Sequence, residues 1–141
     1  MARDLKVLAW ITDAGWEACV DAAAALPATH TTLLYVPSDE EAPAPPFGRR
    51  RRLDREARWT AMSGEAAEEL LSDAARRLGR AADTRAAHGR PEDVVVAAAK
   101  DADILVLVRD GRDLTAGPHS IGKETRFILD HAPCTVILAW P

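Results

Sequence analysis

Three glycines and a lysine follow a predicted buried strand near the carboxyl end of the chain. Ile104–Val108 is an unbroken apolar run, which is typical of a parallel strand covered on both faces. Gly111, Gly117 and Gly122 punctuate the loop that follows, and Lys123 begins a predicted helix. Backbone N–H groups that glycine exposes at a helix start are the usual place to hold a phosphate. The spacing therefore predicts a phosphate site, at which Lys123 would add a charge-assisted contact.

The same residues allow other interpretations. Lys123 could instead be a solvated lysine paired along its helix with Glu124. Gly117–Glu124 nearly spells the phosphate-binding loop G-x4-G-K-[ST]. That motif needs a hydroxyl residue where Glu124 stands and a buried strand directly before it, so we interpret the match as coincidence. His119 and Ser120 could donate hydrogen bonds to a phosphate or fix the loop by bonding its own backbone.

Length and composition limit the class of protein. The chain has 141 residues, 48% of them hydrophobic and 28% charged, values typical of one globular domain over residues 1–141. A formal net charge of −4 argues against a general polyanion binder, so nucleic acid is not expected as a partner. No apolar run reaches membrane-spanning length, no signal-peptide pattern opens the chain, and Cys19 and Cys134 are expected to be reduced thiols. A cytoplasmic protein without membrane contact is predicted.

Strands and helices are predicted to alternate along the chain. The predicted strands are Leu5–Ile11, Thr31–Val36, Asp83–Ala87, Ile104–Val108 and Thr135–Trp140. The predicted helices are Trp16–Leu26, Glu65–Leu78 with a start as early as Asp54, Pro91–Lys100 and Lys123–Asp130, and Pro37–Gly48 is a predicted proline-rich loop. This alternation predicts a three-layer α/β fold with an open parallel sheet. Such sheets bind ligands beyond the carboxyl ends of their strands, where strand order reverses.

Several segments together are similar to one known family. They are the turn after the first strand, G-x-P at Gly89–Pro91, the strand ADILVLV, the glycine-spaced loop and HAPCTVIL at His131–Leu138. On these the chain resembles the universal stress protein family over nearly its whole length. The resemblance implies an open five-stranded parallel sheet in the order 3-2-1-4-5, of the adenine nucleotide alpha hydrolase-like type. It also implies dimerisation and, in many members, ATP or AMP bound between strands 1 and 4.

The glycine loop departs from the nucleotide motif of that family, G-x2-G-x9-G-[ST]. Val108 stands where the first glycine is expected, and ten residues separate Gly111 from Gly122. Lys123 replaces the small hydroxyl residue, although Thr125 keeps a hydroxyl shortly after it. A β-branched residue does not let a ligand approach the backbone as glycine does, so Val108 is expected to weaken binding.

The resemblance also implies which residues form the site. The acidic residue of the family that ends the first strand aligns with Thr12, and Asp13 follows one position later. The candidate nucleotide-binding residues are Thr12, Asp13, Val36, Gly89, Leu107, Gly111, Gly122, Lys123 and Thr125. The implied ligand is ATP or AMP, with or without magnesium. The alternative is a degenerate interaction module without nucleotide, and slow ATP hydrolysis is a third hypothesis that no catalytic constellation in the sequence supports.

Two further features bear on partners. Arg49–Arg52 is a basic run interleaved downstream with acidic residues, and we interpret it as a solvated junction between loop and helix. The alternative is that the run folds back over the crevice and contacts phosphates, because it follows the carboxyl end of the second strand. The last predicted strand, Thr135–Trp140, is apolar and by family order lies at the edge of the sheet. Because an exposed apolar edge promotes aggregation, a homodimer through this strand is predicted. The alternative is a monomer whose N-terminal residues shield the edge.

Overall fold

The computed structural model describes residues 3–37 and 49–141, with the backbone alone for 49–63. Its strands are β1 Lys6–Ile11, β2 His30–Tyr35, β3 Asp83–Ala86, β4 Ile104–Val108 and β5 Thr135–Ala139. Its helices are α1 Trp16–Ala24, α2 Arg49–Leu78, α3 Pro91–Ala99 and α4 Lys123–His131, with a short 3₁₀ turn at Pro118–Ser120. The predicted alternation of strands and helices is confirmed.

The strands form one parallel sheet in the order β3-β2-β1-β4-β5. β1 lies at its centre, with Val7 beside Thr31 of β2 on one side and beside Ile104 of β4 on the other. Strand order reverses between β1 and β4, so the predicted topology and switch point are confirmed.

Two apolar clusters hold helices on the two faces of the sheet, because successive strand residues point to opposite faces. On one face, Ala9 and Val106 pack with Cys19 of α1 and Leu71 of α2. The other face carries the cluster of Trp10, Leu34, Leu105 and Leu107 with Val95 of α3 and Ile128 of α4. The predicted three-layer arrangement, with the sheet between two layers of helices, is confirmed.

The boundaries of some elements differ from those predicted. Helix α2 begins at Arg49, before both the predicted Glu65 and the earliest predicted start at Asp54, since arginine, alanine, leucine and glutamate favour a helix even without an apolar stripe. Arg49–Arg52 therefore opens α2, and residues 38–48 of the predicted proline-rich loop lie outside the described residues. Strand β5 ends at Ala139, so Trp140 lies beyond it. All four residues of β3 are exposed, which is why its sequence pattern is weak.

The described helices also bear on membranes. None of those within residues 3–37 and 49–141 combines the length and apolar character that crossing a bilayer requires.

Candidate functional site

A cavity of about 490 Å³ opens at the carboxyl ends of β1, β2 and β4. The starts of α3 and α4 close its other side, as the switch-point rule predicts. Six of the nine predicted site residues line it, namely Thr12, Asp13, Val36, Gly89, Gly111 and Lys123. Five separate segments of the chain thus converge on one space.

The turn after β1 aims an acidic side chain over this cavity. The Thr12 hydroxyl donates a hydrogen bond to the carbonyl of Ala14 at 2.8 Å, which fixes the turn. Gly15 then adopts the left-handed conformation, with φ of 81°, at the N-cap of α1. The Tyr35 hydroxyl at the end of β2 contacts both carboxylate oxygens of Asp13, at 3.2 and 3.3 Å. Asp13 and Thr12 therefore both face the switch point.

The start of α3 forms the wall opposite that turn. Gly89 has φ of 132°, which favours glycine, and Pro91 occupies the first turn of α3, where proline is favoured. The Arg90 guanidinium donates a hydrogen bond to Glu92 at 2.7 Å. A hydrogen bond from the backbone N–H of Glu92 to its own carboxylate lowers the pKa of Glu92, and the charges of Arg90 and Lys123 lower it further. Burial acts in the opposite direction. In this wall Glu92 is therefore stabilised as a carboxylate and is paired with Arg90.

The glycine-spaced loop is closed by its own backbone. The Gly111 N–H donates to the Ser120 carbonyl at 3.0 Å, and a Cβ at Gly111 would overlap the carbonyl oxygen of His119. The Ser120 hydroxyl donates to the Gly117 carbonyl at 2.9 Å and accepts from Arg109 at 2.6 Å. Of the two roles open for Ser120, the structure gives loop fixation. Only glycine fits at position 111, because the backbone of His119 and Ser120 passes where a Cβ would lie.

The start of α4 is occupied by a side chain of the protein. The Asp110 carboxylate accepts a hydrogen bond from the Gly122 N–H at 2.8 Å and another from the Thr125 hydroxyl at 2.9 Å. Thr125 is fully buried, and neither it nor Gly122 lines the cavity. Leu107 is also buried, in the cluster beneath the cavity, and does not line it.

The side chain of Val108 is buried on the α1 face of the sheet. It packs in the cluster on that face, where it is 5% exposed. It is not part of the cavity lining. Val108 therefore fills space against α1 rather than the space open to a ligand.

Other lining residues had no strong local signal in the sequence. Trp10 is 6% exposed, and its buried indole N–H has no acceptor among the described residues. The Arg109 guanidinium lies 4.0 Å from the ring centroid of Trp140, a cation–π contact that ties the end of the chain to the loop. Tyr35 and Glu124 also line the cavity. These side chains come from different elements, so only the tertiary structure brings them together.

None of the four histidines lines the cavity. His88 and His119 do not line it. His131 lies at the end of α4, with Nδ1 placed 2.8 Å from the Phe127 carbonyl. Among the described residues, no group of three or more His, Cys, Asp or Glu side chains is arranged to hold a metal ion.

Comparison with known proteins identifies the family. The sequence model described as the universal stress protein family matches residues 12–139. The chain belongs to the universal stress protein family. No curated protein sequence matches it. Among solved structures, universal stress protein UspA from Lactobacillus plantarum is 26% identical, with a TM-score of 0.66 and 99% of each chain covered.

Two more distant members share the fold and are described with a nucleotide. One, a universal stress protein in complex with cAMP, is 16% identical, with a TM-score of 0.62, and the match covers 99% of this chain and 98% of that one. The other, from Arabidopsis thaliana with AMP bound, is 18% identical, with a TM-score of 0.58, and the match covers 96% and 91%. At these identities the likeness establishes the fold of the present chain.

Proposed function

We propose that this universal stress protein binds an adenine nucleotide, ATP or AMP, in the cavity between β1 and β4, and that it acts as a cytoplasmic regulator in the stress response. The observation that carries the proposal is the convergence of Asp13, Gly89, Gly111 and Lys123 on one cavity at the switch point. The cavity volume of about 490 Å³ is in the range of small-molecule sites. The cAMP and AMP described in two members of the same fold support this class of ligand.

The lining residues suit the parts of a nucleotide. Asp13 offers carboxylate oxygens that can accept hydrogen bonds from ribose hydroxyls, and Lys123 offers a cation to a phosphate. Val36 and Gly89 provide an apolar wall and a close backbone for the base.

We also propose that two copies pair through β5. This strand is at one edge of the sheet, and its residues Val136, Ile137, Leu138 and Ala139 are each partly exposed. A second β5 related by a two-fold axis would cover that edge.

The second candidate function is an interaction module without nucleotide. The observation that favours it is the self-contained glycine loop, in which Gly122 and Thr125 bond Asp110. Under this hypothesis the family fold and the edge strand remain, and the cavity has no ligand.

A direct test separates the two candidates. Small molecules released by denaturing freshly purified protein are identified by mass spectrometry, and AMP and ATP are titrated calorimetrically. Ala14→Trp places a large side chain at the cavity lining, and Ala25→Trp is its control at an exposed site just after α1. Binding that Ala14→Trp abolishes and Ala25→Trp keeps supports the nucleotide function. An empty protein without heat of binding supports the interaction module.

A further inference from the structure

The Asp110 carboxylate occupies the position at which α4 would hold an anion. The N–H groups at the start of a helix attract negative charge, and here Gly122 N–H and the buried Thr125 hydroxyl each bond one Asp110 oxygen. A Cβ built at Gly122 would lie 2.9 Å from Asp110 Oδ1. Because Gly122 has no Cβ, the Asp110 carboxylate can lie close to its backbone.

The charges around the cavity reinforce this effect. The lining holds four carboxylates, from Asp13, Glu92, Asp110 and Glu124, and three cations, from Arg90, Arg109 and Lys123. Arg90 is paired with Glu92, and Arg109 bonds Ser120 and stacks on Trp140. Among the described residues, Lys123 is therefore the lining cation that makes no hydrogen bond or salt bridge, although it lies near enough to Glu92 to lower the pKa of that carboxyl.

We propose that Asp110 is a specificity-determining residue that makes the site select an adenosine monophosphate over the triphosphate. The inference rests on the proposed nucleotide function. One phosphate can use Lys123 across the cavity. The further phosphates of ATP would need the start of α4, where they would meet the Asp110 carboxylate at close range and find the Gly122 N–H already bonded.

Binding measurements on charge variants test the proposal. Asp110→Asn removes the charge and keeps an oxygen that can accept from Gly122 N–H, while Asp110→Ala vacates the position. Asp113→Asn makes the same charge change in the same loop, at a residue that bonds Thr115 and does not line the cavity. Wild type and Asp113→Asn are expected to bind AMP at least about tenfold more tightly than ATP, and both Asp110 variants to reduce that ratio severalfold. Equal binding by the wild type, or a ratio unchanged in both variants, overturns the proposal.

A second readout does not depend on adenine binding. Inorganic tripolyphosphate is titrated while the amide signal of Gly122 is followed by NMR. A response in Asp110→Ala that is absent in wild type supports the exclusion of a polyphosphate from the start of α4 by Asp110. If AMP nevertheless binds neither protein, the proposed function is refuted, and the preference for AMP falls with it. No response in Asp110→Ala overturns the proposal, and AMP binding then shows separately whether the proposed function stands.

Discussion

Gly15 and Val108 pack against each other so closely that neither can change size freely. A Cβ built at Gly15 would lie 2.8 Å from Val108 Cγ1 and 3.3 Å from Pro141 Cβ. Gly15 also has φ of 81°, a conformation that L side chains rarely adopt. The valine that replaces the expected glycine in the nucleotide motif is thus accommodated by a glycine on the facing turn.

Gly15→Ala is expected to lower the free energy of unfolding by about 2–4 kcal/mol, because left-handed strain adds to overpacking. The double variant Gly15→Ala/Val108→Ala removes the clash and keeps the strain. Its loss should be smaller than the sum of the single losses by about 1 kcal/mol. Urea denaturation of the four proteins measures this coupling, and strictly additive losses would show that the two residues do not press on each other.

The affinity for AMP should depend on Trp10 more than on the other tryptophans. Trp10→Phe replaces the indole with a smaller ring at a residue that lines the cavity. Loss of apolar contact with the ligand is expected to weaken AMP binding by about fivefold in calorimetric titration. Trp16→Phe is the matched control, since Trp16 packs on the α1 face and does not line the cavity. An equal effect of the two changes would place the ligand elsewhere.

Local sequence patterns predicted the sheet and only part of the site. Ile104–Val108 is recognisable because a strand buried on both faces must be apolar throughout. The start of α2 at Arg49 gives no such signal, because the first residues of the helix lack an apolar stripe. The Asp110 carboxylate spans 12 residues to Gly122 and 15 to Thr125. Contacts at such separations depend on how the loop folds, which no local spacing encodes.

A bidentate ion pair joins α1 to α2 and should make stability depend on pH. The Arg77 guanidinium donates two hydrogen bonds of 2.9 Å to the carboxylate of Asp21. These bonds hold the pKa of Asp21 below its ordinary value of 3.8, so the pair stabilises the fold above that pH. The stabilisation is lost as the pH falls through the lowered pKa of the folded state.

Asp21→Asn should therefore lower the melting temperature at neutral pH, and the difference from wild type should shrink as the pH is taken below 3.8. Asp73→Asn is a control on α2, where Asp73 meets Arg76 at 3.4 Å, and its effect at neutral pH should be smaller. Thermal unfolding followed by circular dichroism gives all three curves. A difference between wild type and Asp21→Asn that stays constant with pH would mean that the charge of Asp21 is not what stabilises the α1–α2 contact.

The edge strand β5 should determine the oligomeric state. Ile137 sits in the middle of β5 and packs partly against the cluster on the α1 face. Ile137→Lys places a charge on an edge, the device by which natural sheets prevent strands of separate copies from pairing. Sedimentation equilibrium is expected to give a dimer for the wild type and a monomer for the variant.

A matched substitution distinguishes the edge from general charge effects. Ala97→Lys adds the same charge to the exposed surface of α3 and should leave the dimer intact. Because Ile137 is half-buried, circular dichroism must also show that Ile137→Lys is folded; its long side chain can carry the charge out to solvent. A folded Ile137→Lys protein that is still dimeric would place the interface on another surface, and a monomeric wild type would mean that β5 is stable as an uncovered edge.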